Sequence, residues 1–165
     1  MNSSVSTLSN KPWGAFQIIL LGGLVAGVLD ATDGVVAYYC AFGMNPIQVL
    51  QYIASGAFGA ASFHGGLVTA GAGVLFHFFI AFTVAAIFYF ASRVIPWLKE
   101  YFVASGLAYG AAVYVVMNYL VLPLSAVAPS AFSLPLFLNG VIGHALFVGL
   151  PIAWFASRSG NQGSR

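Results

Sequence analysis

Asp30 and Asp33 lie three residues apart in the run "GLVAGVLDATDGVVAYY", and they are two of only three acidic residues in a chain of 165. At that spacing on a helix they share one face. His77 sits in "LFHFFIAF", Asn118 in "VVMNYLV" and His144 in "VIGHALFV", each inside an apolar run. Carboxylates and imidazoles in such surroundings can take up and release a proton or bind a small solute. They can also hydrogen-bond one another and fix helix register without any reaction. A third chemistry is bis-histidine ligation of haem b, with His77 and His144 as axial ligands. On these residues alone the three readings stay open.

The segments that carry them are long and greasy. The chain is 61% hydrophobic and 5% charged, with mean hydropathy +0.95. Soluble domains carry about 25% charged residues because their surface must face water. A bilayer removes that need. Spans of roughly 20 apolar residues are expected at about 15–37, 68–94, 101–122 and 136–156. The third should stop at Pro123, where a helix cannot continue cleanly. The first lacks a clear small-x-small cleavage site and reads as an uncleaved span.

Lys11 precedes span one, Arg93 and Lys99 separate spans two and three, and Arg158 and Arg165 follow span four. With four spans these regions share one side, which the positive-inside rule makes the cytoplasm. The expected architecture is an all-α membrane protein of four transmembrane helices plus one outer-face amphipathic or re-entrant helix. It forms a single domain over residues 13–158 between polar cytoplasmic tails, 1–12 and 159–165. The extra helix is read in "NPIQVLQYIASGAFGAASF", with Asn45 as N-cap and Pro46 at the first helical position. Gln48, Gln51, Ser55, Gly59 and Ser62 form a polar stripe there. Ile47, Leu50, Ala54, Ala57 and Ala61 lie on another face. The connection "PLSAVAPSAFSLP" should be an ordered loop.

With span one ending near residue 37, Asp30 lies roughly 10 Å below the outer surface, and Asp33 stands near the interface beside His64. His77, His144 and Asn118 fall in the same outer half. One interior cluster of Asp30, His77, His144 and Asn118 is expected, opening past Asp33. "GLVAG" at 23–27 and "GLAYG" at 106–110 are both GxxxG, and "FASR" recurs at 90–93 and 155–158. A two-plus-two duplication would produce this pattern.

Several classes drop out. There is no cation cluster of the kind nucleic-acid binding needs. A lone cysteine, Cys40, makes no internal disulfide and no Cys-based zinc site. "GGLVTAGAG" lacks the Lys-Ser/Thr ending of a phosphate loop, and no nucleophile elbow occurs. No enzyme activity and no resident cofactor or metal are expected. The partners expected are the lipid bilayer and a homo-oligomer or membrane-complex subunit.

The stretches "GGLVAGVLDA", "YIASGAFG", "FHFFIAF", "YVVMNYLVLPLSA" and "LNGVIGHALFVGLPIA" together resemble a group of uncharacterised small bacterial inner-membrane proteins close to the YagU-like family. The likeness runs from about Leu20 to Arg158 and rests on the order and spacing of these stretches. It maps the span-two histidine, the "LPLSA" exit and the span-four histidine onto His77, Leu122 to Ala126, and His144. Span one is where distant YagU-like members agree least, so the resemblance assigns no role to Asp30 or Asp33. It implies a multi-pass inner-membrane protein and brings no reaction or substrate with it. The function expected is binding or movement of a proton or small solute at an outer-half Asp/His cluster. The alternatives are an accessory subunit of a membrane complex and a haem b electron carrier.

Overall fold

The computed structural model describes residues 13–159, so Lys11, Arg165 and nearly all of both tails lie outside the described residues. Within them the chain is helical: α1 (Ala15–Phe42), α2 (Pro46–Phe58), a 3₁₀ turn (Gly59–His64), α3 (Gly66–Val94), one-turn α4 (Trp97–Glu100), α5 (Phe102–Leu124) and α6 (Leu134–Ser157). Four of these, α1, α3, α5 and α6, are long and apolar enough to cross a membrane.

Their ends follow local chemistry. The backbone N–H of Gly14 donates to Gln17 Oε1 at the start of α1. Gly43, with φ +68°, supplies the left-handed turn that ends it. Asn45 caps α2 as its sequence suggests: its Oδ1 accepts from the Gln48 N–H, and Gln48 Oε1 accepts from the Asn45 N–H. α5 does not stop at Leu122 but runs through Pro123 to Leu124. The strain is taken up before the proline by a π turn at Met117–Val121. A second π turn, His144–Gly149, precedes Pro151 in α6. Each π turn ends two residues before its proline. The ring clashes with the carbonyl four residues back, and widening the preceding turn relieves this.

The four long helices alternate in direction. Trp13, Arg93, Lys99 and Arg158 therefore gather at one end, where Trp13 bridges to Ser159 and Lys99 Nζ lies 3.4 Å from Ser159 Oγ. α1 is central, packed on α3 and α6, and α6 is packed on α5. Small residues make these approaches possible. A Cβ on Gly23 would run into the ring of Phe82, and one on Gly27 would lie 2.7 Å from the ring of Phe78. On the other side, Gly106, Gly110 and Gly149 bring the backbones of α5 and α6 into contact.

α2 buries polar as well as apolar side chains, Gln51 and Ser55 beside Val49 and Ala54. Gln51 is 5% exposed and Ser55 3%, whereas Ile47 and Phe58 face outward. Gln51 Nε2 donates to the carbonyl of Gly66, and the backbone of Leu50 abuts Gly73, seven residues into α3. Phe58 reaches Phe76. α2 thus lies alongside the first three turns of α3, with Gln51 and Ser55 inward beside Val49 and Ala54, while Gln48 of the polar stripe stays exposed. Ala126 of the α5–α6 connection closes on it by donating to the Gly56 carbonyl.

Candidate functional site

α1 ends at Phe42 rather than near residue 37, which changes every depth on it. Asp30 precedes that end by 12 residues, about 18 Å, and Asp33 by 9, about 14 Å. Asp33 is partly exposed, and His64 lies in the turn ahead of α3. Asp30 shares a helix face with Gly23, Ala26 and Gly27, which pack inward, so its side chain points into the bundle.

Packing loosens along that face. Gly23 and Gly27 are gripped by Phe82 and Phe78, but a Cβ on Gly34 would meet nothing within 4 Å. Asp30 lies between Gly27 and Gly34 on this face. Asp30 Oδ1 is 3.6 Å from His144 Nδ1, with the side chains 23% and 21% exposed. That separation exceeds a hydrogen bond. Nδ1 itself is buried and has no hydrogen-bond partner. The carboxylate and imidazole thus face one another across a gap that a transferred proton or a small rearrangement would close.

His144 is positioned by three neighbours. Tyr114 meets its ring edge-on at 5.5 Å and is braced in turn by Phe137. Gly110 leaves room for the His144 carbonyl, which a Cβ there would strike. The π turn starts at His144 itself, and such turns recur at functional sites.

Asp33 has a partner that sequence reasoning missed. Its Oδ2 accepts from Asn139 Nδ2 at 3.0 Å. Gly143, one turn after Asn139 on α6, clears the space for that carboxylate, since a Cβ there would collide with Oδ2. The signal was present in "LNGVIGH": Asn139 and Gly143 are four apart, on one face, just before His144. α1 and α6 thus share one hydrogen bond, Asp33 with Asn139, and one unbonded close approach, Asp30 with His144.

The other expected members bond to backbone carbonyls. His77 Nε2 lies 2.8 Å from the Gly27 carbonyl. A carbonyl only accepts, so Nε2 carries the hydrogen and donates. His77 fastens α3 to α1, and neither a hydrogen bond nor an ion pair joins it to Asp30, Asp33 or His144. Asn118 Nδ2 donates to the Tyr114 carbonyl on its own helix. It stands four residues on, at the entry to the first π turn, and supplies a donor where the regular α ladder is interrupted. Direct side-chain contacts thus join Asp30 to His144 and Asp33 to Asn139, while His77 and Asn118 bond to backbone carbonyls.

These placements separate the histidines by test. His77→Leu removes one neutral hydrogen bond, worth about 1 kcal/mol, and is expected to lower the melting temperature by about 2–4 °C. Proton uptake should stay as in the wild type. A loss of uptake in that variant, measured with a pH-sensitive dye in proteoliposomes, would put His77 back in the site.

Of the two histidines read as haem ligands, His77 has its Nε2 hydrogen-bonded to the Gly27 carbonyl. Two apolar clefts, of about 450 and 410 Å³, open toward the cationic end and include neither acid nor histidine. Compared with known proteins, no protein family, curated protein or solved structure matches this chain.

Proposed function

We propose that this is an integral protein of the bacterial inner membrane, related to the YagU-like proteins, that binds a proton at Asp30 and His144 and passes it to the outer side. The observation that carries the reading is the Asp30–His144 pair: two titratable groups on different helices, facing one another with no hydrogen bond between them. A charged Asp at the middle of a spanning helix costs about 2.5–3.5 kcal/mol on insertion scales. Three of the chain's cations, Arg93, Lys99 and Arg158, stand at the far end from Asp30 and cannot offset that charge directly. Protonation can.

Membrane insertion is supported by the broad apolar surface, with Phe16, Leu75, Phe79 and Val68 at least 70% exposed. α2 adds to it, because a helix that hides Gln51 and Ser55 and displays Ile47 and Phe58 suits lipid better than water. We read it as a re-entrant segment dipping in from the outer side. Grouping of the cations at one end favours cytoplasmic termini.

The test is proton flux in proteoliposomes, with protein orientation scored by labelling exposed Cys40. Asp30→Asn and His144→Ala should each abolish flux, or reduce it at least tenfold. Wild-type rates in both variants would sink the proposal. An accessory-subunit role draws less support, because both GxxxG faces are used internally: Gly23 and Gly27 against α3, Gly106 and Gly110 against α6.

A further inference from the structure

We propose that Asp33 is the outward relay of the site, taking the proton from Asp30 and releasing it to water on the outer side. This role rests on the proton-binding reading of Asp30 and His144. Asp33 follows Asp30 by three residues on α1, on the same helix face and about 4.5 Å nearer the outer end. Side chains at that spacing are neighbours, with Cβ atoms about 5–6 Å apart. On α6, Gly143 lies directly against the Asp33 carboxylate, and the next residue is His144. Asp30 and His144 both stand close enough to act on that carboxylate electrostatically. Asp33 is thus a third titratable group within reach of the 3.6 Å Asp30–His144 approach.

Its two oxygens have different surroundings. Oδ2 accepts from Asn139 Nδ2 at 3.0 Å. An amide N–H bonds an ionised carboxylate and equally the carbonyl oxygen of the neutral acid. Oδ2 therefore ties α1 to α6 in either protonation state. Oδ1 makes no hydrogen bond among the described residues, and the side chain is partly exposed. Oδ1 is where a proton arrives and leaves. One carboxylate group serves packing through one oxygen and transfer through the other.

The transfer needs one bridging water and no other co-reactant. The O–H bond of the Asp30 carboxyl breaks as its proton passes to the water, and a proton of that water forms a new bond to Asp33 Oδ1. Asp30 is left ionised, Asp33 neutral and the water unchanged. The Asp33 O–H bond then breaks toward outer water, which carries the proton away and leaves both carboxylates ionised. Like charges one turn apart repel, so release from Asp33 favours the next protonation of Asp30.

The test pairs steady proton flux in proteoliposomes with equilibrium proton uptake after a pH step, both on the full chain. Asp33→Asn is expected to cut flux by about tenfold or more, the scale of a lost proton-transfer group, while most of the uptake at Asp30 and His144 persists. Asp33→Glu restores a carboxyl group and should recover most of the flux. Wild-type flux in Asp33→Asn overturns the relay. The Asp30–His144 reading survives that result, and falls with it only if Asp30→Asn also runs at the wild-type rate. An Asp33→Glu protein as slow as Asp33→Asn overturns the relay too, because the residue would then act through its bond to Asn139 alone.

Discussion

Gly149→Val is expected to unseat α5 from α6 and to be the most destabilising single substitution in the bundle. A Cβ at position 149 would fall on the Gly106 carbonyl, 2.5 Å from the Gly110 nitrogen and 2.7 Å from its Cα. All three are backbone atoms of a helix and cannot swing aside as a side chain can. The contact is reciprocal, since a Cβ on Gly106 would lie 2.9 Å from the Gly149 carbonyl. Overpacking in a core usually costs about 1–3 kcal/mol, and a backbone-to-backbone seam belongs at the top of that range or above it. Gly71 is the control. A Cβ there meets nothing within 4 Å, so Gly71→Ala should be neutral or gain up to about 1 kcal/mol from helix propensity. Thermal unfolding in detergent, followed by size-exclusion chromatography, compares the two. A Gly149→Val protein that melts with the wild type would mean that the helices separate more easily than the close contact implies.

That seam also shows what the sequence makes legible. "GLVAG" and "GLAYG" announce close helix contact by their spacing alone, and each does pack on the helix that carries the matching histidine. Gly27 receives the His77 side chain, and Gly110 receives the His144 backbone. The four apolar runs and the Asn45–Pro46 start of α2 were equally readable, because length, hydropathy and capping are local properties.

What could not be read is azimuth and fine register. Polarity suggested that His77, Asn118 and His144 turn to one centre. The face a side chain presents depends on which neighbour its helix meets, and His77 finds a carbonyl on α1 instead. The 16-residue interval from His77 to Arg93 and the 14-residue interval from His144 to Arg158 left the register of the two halves ambiguous. The π turn at His144 is one physical source of such offsets. Two signals went unused. Gly43 marks the true end of α1 and deepens both aspartates, and "LP" at 122–123 and 150–151 marks the helix distortions.

Replacing both members of the pair, Asp30→Leu with His144→Leu, is expected to leave the protein as stable as the wild type or more so, while proton uptake disappears. The two carboxylate and imidazole atoms stand 3.6 Å apart, Nδ1 is unbonded, and neither side chain is fully withdrawn from the surface. The pair therefore gains little from its own attraction. Both groups still suffer desolvation in the interior, which is why apolar replacement of such pairs is often neutral or stabilising by about 1–4 kcal/mol. For a chain of this size that corresponds to a rise of up to about 10 °C in melting temperature. If the pair exists to hold α1 on α6, the outcome reverses: the double variant melts earlier, and a double-mutant cycle gives a favourable coupling well above 1 kcal/mol. The Asp33–Asn139 link one turn away supplies the internal comparison. It is a formed hydrogen bond of 3.0 Å, so Asn139→Leu should weaken the α1–α6 contact by the roughly 1.5–3 kcal/mol of a bond to a charged group. A protein that tolerates losing Asp30 and His144 but not Asn139 has one polar pair for packing and another kept for the proton.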